Sequence, residues 1–339
     1  MGKEISHIIC AEQTFQALSG KAGGSFLSLL KDNLSAFHFG SIAADTFFYG
    51  IRLPLEPVRL PCCGDLVHGS FGADSGGPVY EMLKALRDSP GDPLFAGKAA
   101  FVSGFLTHIA LDSILHPYVY HVSGNYYAEC RTERQQARIR HRLIESWLDL
   151  HLLRQSSRDL AGFRRLADIR RNGALNGELL GFFFAACGKA FGIEPSRRKE
   201  LFRGYRVQML LNRAFTRASA AKLVRRLDRL FSGRLGTFAA LFYPWEEREI
   251  PGEIIRFEAF LHPVTGERRE GGLRGLWDKA LERSEHFLLS QENFLFSRGD
   301  GAEFRNTVPG YNLSTGLVGG SIRDAVHYDC IPLERLRQD

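Results

Sequence analysis

Apolar and polar positions along the chain alternate with an almost wholly helical period. Apolar residues recur three and four apart over Ile8–Leu18, Ala36–Tyr49, Val79–Arg87, Thr132–Leu153, Leu160–Ile169, Glu178–Phe191, Pro195–Phe215, Ser219–Leu230 and Leu273–Phe296. That spacing puts one apolar stripe on each helix. Phe95–His121 differs, because it is apolar nearly all round. It predicts a central buried helix, ended or kinked by Pro117. Leu53–Gly77 is rich in Pro and Gly and reads as a long loop, and Thr307–Leu317 reads as irregular and turn-rich. Strand signals are few, and no internal repeat is present. The expected fold is an all-α multi-helix bundle around Phe95–His121. Residues 1–245 would form one helical domain, with 246–339 as a helical and irregular extension packed on it, divided near the Pro251-Gly252 break.

Composition narrows the class. The 339 residues are 44% hydrophobic and 24% charged, which excludes a disordered, collagen-like or coiled-coil chain. No run reaches the ~18 uninterrupted apolar residues of a membrane span; Leu179–Phe191 is short and contains Gly and Lys. The opening MGKEISHIICAEQTF is charged at once and shows no secretory leader, so a cytoplasmic protein is expected. Met1-Gly2 with Ser6 matches the short myristoylation pattern. The six cysteines form no CxxC pair and are expected to be reduced.

The net charge is +6, and Cys130–Arg171 holds eleven Lys or Arg against five Asp or Glu, so this one stretch carries an excess as large as the whole chain's. Such a stretch is either a solvated helix face or a surface for phosphate, lipid headgroup or nucleic acid.

Eight of the eleven histidines lie within the first 151 residues. His108, Asp112 and His116 follow one another at four-residue steps, which places them on one stripe of the most apolar helix. Gly104 stands one turn earlier on that stripe and leaves room beside it. Ionisable groups on an apolar helix are costly to bury without partners, and a metal is an efficient partner. His141 and Glu145 repeat the four-residue step on the next long helix. Imidazole and carboxylate are the ligand types of hydrolytic zinc sites. Asp45, alone in an apolar helix, His68, in a Gly-flanked loop, and His7, at the start of the first helix, are further candidates. HExxH, an adjacent His-Asp pair, GxSxG and a P-loop are all absent.

In chain order His7, Asp45, His68, His108 with Asp112, His116, and His141 with Glu145 resemble the ligand series of the zinc-dependent phospholipase C superfamily, which also contains the single-strand-specific nucleases. The run Phe101–His108 resembles the superfamily's approach to its central motif, and the likeness covers roughly residues 5–155. It implies an all-helical fold holding two or three zinc ions in the 1–245 domain. Asp45, His68, His108 and Asp112 would hold one ion; His116, His141 and Glu145 a second; His7 a third, with Asp112 bridging. Asp45 would also be the general base. The step from Asp112 to His116 is shorter than in secreted members, so His121 stands as an alternative ligand.

The implied activity is zinc-dependent phosphoester hydrolysis of phospholipase C type, in which zinc lowers the pKa of its water to about 7. Arg134 and Arg138, on the face of His141 and Glu145, would present guanidinium groups to the phosphate. The partners implied are a phosphoester substrate, including a phospholipid headgroup, peripheral contact with an anionic membrane, and nucleic acid less readily. Two other readings are a single-strand nuclease, with Tyr118, Tyr120, Tyr126 and Tyr127 as stacking platforms, and a non-catalytic protein with a structural zinc cluster. His262–Glu267 and Asn312–Gly316 look like segments of bacterial relatives. Neither has ligand character, and both are expected to be structural.

Overall fold

A computed structural model describes residues 3–50, 62–244, 248–297 and 299–337. Helices account for 69% of the structure and strands for 3%, which fixes the all-α class. The order is α1 (Glu4–Ala17), α2 (Gly24–Asp32), α3 (Leu34–Ala43), α4 (Cys63–Val67), α5 (Gly77–Asp88), α6 (Phe95–Ser123), α7 (Arg131–Gln155), α8 (Arg165–Arg171), α9 (Gly173–Phe191), α10 (Arg198–Phe215), α11 (Ala218–Leu230), α12 (Gly236–Ala239) and α13 (Gly252–Ile255). The hairpin β1–β2 (Ala259–Leu261, Arg268–Glu270) leads to α14 (Gly272–Phe296) and α15 (Gly301–Thr307). A second hairpin, β3–β4 (Tyr311–Asn312, Leu317–Val318), precedes α16 (Leu333–Leu336). Both hairpins are antiparallel, in registers Phe260↔Arg269 and Asn312↔Leu317.

The central helix is α6, packed by α3, α14, α7, α1 and α5. It is long and apolar enough to cross a membrane, yet its most apolar window is wholly buried in the bundle, the mark of a core helix. Many of the 26 phenylalanines line its surroundings: Phe101 and Phe105, one turn apart, both meet Phe183 of α9, and Phe39 of α3 meets Phe101. Each such burial is worth about 1.5–3 kcal/mol.

Where α3 crosses α6, two glycines face each other. A Cβ on Gly104 would lie 1.9 Å from the Phe37 carbonyl, and one on Gly40 would lie 1.9 Å from the Phe101 carbonyl. Only glycines admit this approach, and it brings the end of α3 against the stripe that starts at Gly104.

Several expectations need correction. The Ala36–Tyr49 helix is α-helical only to Ala43 and tightens to a 3-10 helix over Ala44–Tyr49. Of the expected Leu53–Gly77 loop, residues 51–61 lie outside the described residues, as do Met1 and Gly2. The remainder contains α4 and a 3-10 turn at Ser70–Gly72. Of Leu160–Ile169, only the part from Arg165 is helical. Of the two outcomes expected at Pro117, an end or a kink, the end is excluded, because α6 continues to Ser123. Proline removes one helical hydrogen bond, and the packing that buries α6 on all sides outweighs that loss.

Candidate metal centre

Four elements and a helical cap build the site. The stripe of α6 presents His108, Asp112 and His116, and α7 presents His141 and Glu145. The 3-10 helix after α3 carries Asp45, His68 ends α4, and His7 lies in the second turn of α1. All eight side chains are buried, His68 being the most exposed at 6%. Their ligand atoms form three groups, each within 4.8 Å: His7, His108 and Asp112; Asp45, His68 and His108; His116, His141 and Glu145.

Asp112 is the hub. Its Oδ1 lies 3.3 Å from His7 Nε2, and its Oδ2 lies 3.2 Å from His108 Nε2, 3.5 Å from His116 Nδ1 and 3.9 Å from His68 Nε2. Asp45 Oδ1 is 3.2 Å from His68 Nε2. Glu145 Oε1 is 3.1 Å from His141 Nε2 and 3.4 Å from His116 Nε2. The His7 and His108 rings stack at 4.2 Å.

Backbone carbonyls set which nitrogen faces inward. His108 Nδ1 meets the Ser41 carbonyl at 2.9 Å, His68 Nδ1 the Gly64 carbonyl at 2.8 Å, and His116 Nδ1 the Leu313 carbonyl at 3.2 Å. An Nδ1–H held in this way leaves the Nε2 lone pair for an ion.

The donor set fits zinc. Both oxygens of Asp45, Oδ2 of Asp112 and Oε1 of Glu145 are buried and receive no hydrogen bond, a costly arrangement for carboxylates unless a cation faces them. A cavity of about 10 Å³ lies among His7, Asp112, His116 and Glu145, about one water-sized sphere. No cysteine joins the groups, so the donors on offer are imidazole and carboxylate, the types that catalytic zinc sites use, rather than thiolates.

Electrostatics keep the three carboxylates ionised, as a cation site requires, and without an ion protons on the histidines take that role. Burial alone would raise Asp112, yet His116, His108 and His7 hold it well below the usual carboxylate range. Burial likewise opposes ionisation of Asp45 and Glu145, and the neighbouring histidines hold both low. Burial works against the charged form of His108, but Asp112 and Asp45 bring it up to about 9. His7, dominated by burial and the neighbouring His108, is pushed down to about 4.

The sequence candidates separate here. His116 lies in a group, whereas His121 Nδ1 points to the His327 carbonyl at 2.9 Å and belongs to none; one further turn of α6 carries it past the centre. Arg134 donates to the Ala128 carbonyl at 2.7 Å and so braces the loop before α7. Arg138 stands over the Tyr126 ring at 5.0 Å, and that ring is 5.5 Å from His141. Tyr120 is 4.7 Å from His141. Tyr118 turns away and stacks on Phe257.

Sequence reasoning missed Asp149. It continues the His141–Glu145 stripe by four residues, and its carboxylate accepts the amides of Ser6 (2.8 Å) and Ile5 (3.3 Å) and the Tyr243 hydroxyl (2.5 Å). The N-cap residue of α1, Lys3, makes no side-chain cap, so Asp149 caps α1 from α7 and seats His7 beside Asp112.

Residues 6–196 match the family described as zinc dependent phospholipase C, a stretch that covers more than half the chain and all eight clustered residues. No curated protein and no solved structure matches the chain. With the match, the helical fold and the buried His/carboxylate groups in agreement, the chain belongs to the zinc-dependent phospholipase C family.

Proposed function

We propose that the protein is a phospholipase C-like phosphodiesterase that uses two or three zinc ions. The observation that carries the reading is the convergence of His7, Asp45, His68, His108, Asp112, His116, His141 and Glu145, with carboxylate oxygens that no protein donor satisfies. Asp45, His68, His108 and Asp112 would hold one ion, and His116, His141 and Glu145 a second. His7, with Asp112 shared, would hold a third.

Zinc, when bound, supplies Lewis-acid charge that acidifies water and neutralises phosphate oxygens. Asp45 is our candidate to accept the proton of the attacking water, because neither of its oxygens is engaged by a donor. Asp112 orients imidazoles from both ends of the centre. Arg138, beside Tyr126, would meet a phosphate or headgroup at the edge of the second group. The same reading takes residues 1–245 as the catalytic part and a cytoplasmic phosphoester or an anionic membrane face as the place of action.

A nuclease reading draws on one observation: Tyr120 and Tyr126 lie 4.7 and 5.5 Å from His141, where a base could stack.

The deciding experiment is zinc analysis of the purified chain, followed by turnover of p-nitrophenyl phosphodiesters, p-nitrophenyl phosphate, phosphocholine esters and single-stranded DNA, with and without chelator. Chelation should abolish hydrolysis and zinc restore it. Asp45→Asn should lower the rate by about 10²–10⁴-fold, the range for loss of a general base. Preferred cleavage of DNA would favour the nuclease reading. No turnover of any phosphoester with zinc verified in place would leave a structural zinc cluster.

A further inference from the structure

The turn between β3 and β4 lies outside the stretch that matches the family, yet it touches two of the clustered histidines. The Leu313 carbonyl accepts the Nδ1–H of His116 at 3.2 Å, and the Leu313 amide donates to the His68 carbonyl at 2.9 Å. His116 faces Glu145 and His68 faces Asp45. One residue therefore spans the two ends of the centre through its main chain.

The turn is held firmly. Asn312 Oδ1 accepts the amides of Ser314 (3.1 Å) and Thr315 (3.2 Å), and its Nδ2 donates to the carbonyl of Gly69, the residue after His68, at 3.1 Å. Gly316, with φ +68°, lies against α6, where a Cβ would sit 2.0 Å from the Ser113 carbonyl oxygen. That oxygen is the one left without its helical amide by Pro117. The proline and the glycine are two sides of one contact. From the other hairpin, His262 Nε2 meets the Thr315 carbonyl at 2.7 Å, while its Nδ1 accepts the amides of Val264 (3.3 Å) and Thr265 (3.2 Å). Those two amides fix the His262 tautomer, so Nε2 carries the proton and donates it. His262, Asn312, Leu313 and Thr315 are all buried at 2% exposure or less.

We infer that Asn312–Gly316, braced by His262, is a positioning strap for the metal centre. It holds the His116 ring with the proton on Nδ1 and the Nε2 lone pair toward His141 and Glu145, and it anchors the main chain that presents His68. The inference rests on the reading of His116 and His68 as zinc ligands. The strap residues are positioning residues and donate nothing to the ion. Outer partners that fix a ligating imidazole in this way contribute about 10–100-fold to metal affinity or activity.

The test uses the full-length protein. Zinc affinity is measured by competition with a chromophoric chelator, and the visible spectrum of the cobalt(II)-substituted protein reports ligand geometry. Asn312→Ala and His262→Ala should each weaken zinc binding by about 10–100-fold and alter the cobalt spectrum. His262→Gln, which keeps a donor toward Thr315, should recover part of the loss. In zinc-loaded wild type, nitrogen-15 NMR should find His116 protonated at Nδ1 with a slowly exchanging proton, a measurement that needs no variant to fold. A wild-type chain that binds no zinc would overturn the metal reading and the strap with it. A zinc-binding wild type whose His116 Nδ1 carries no proton, or variants with unchanged affinity and cobalt spectrum, would overturn the strap alone.

Discussion

His38 shows what burial does to an imidazole that belongs to none of the metal groups. It sits on α3 with Nε2 3.8 Å from Glu12 and without a hydrogen bond. Burial pushes it down to about 4, the nearby Glu12 only partly opposing that. Folding therefore favours the neutral ring. That contribution is complete above pH ~6.5 and is lost as pH falls toward about 4, because the unfolded chain takes up the proton first. Between pH 7 and 5 the loss should be about 2 kcal/mol. Urea unfolding at the two pH values should show a smaller decline for His38→Gln than for wild type. At the same scale, His108, Asp112 and His116 were legible because they repeat at four-residue steps on an apolar helix, and His141 and Glu145 because they repeat that step on the next, whereas His7, Asp45 and His68 joined the set only through the family resemblance. Asp149 extends the second series by one more step, but its partners are the main-chain amides of Ile5 and Ser6, which no spacing announces. Arg134, expected to face a phosphate, donates to the Ala128 carbonyl, a main-chain contact that no spacing announces.

Among the elements, the α3–α6 crossing does most to place the site. The close approach at Gly40 and Gly104 lets the Ser41 carbonyl reach His108 Nδ1 and sets Asp45 beside His68. Gly104→Ala would put a methyl 1.9 Å from the Phe37 carbonyl, a main-chain atom that cannot swing aside. The helices must separate, at a cost of about 1–3 kcal/mol. Denaturant titration should report that loss, and chelator competition should report weaker zinc binding with it. Most helices were legible from period alone, and Gly104 announced room beside the stripe. The 3-10 winding after Ala43 and the passage of α6 through Pro117 were not, because both are imposed by what packs against them rather than by local preference.

For the whole molecule, eight buried ionisable side chains at one centre couple folding to the zinc binding proposed above. An ion that binds the folded chain alone stabilises it by about 2.7 kcal/mol at a hundredfold excess over its dissociation constant. The zinc-loaded protein should therefore melt above the chelated one, with a midpoint that climbs with free zinc; calorimetry at several zinc concentrations checks this. The C-terminal third was the least legible part, since Asn312–Gly316 acts on His116 and His68 through peptide groups that every residue possesses. Its reach has a consequence in time. The contact of Asn312 with Gly69 spans 243 positions, and that of Leu313 with His116 spans 197. A chain emerging from the ribosome displays His68, His108 and His141 long before residue 313 exists, so its histidines wait in an unfinished pocket. Synthesis through residue 313 thus precedes the final adjustment of the pocket around His68 and His116.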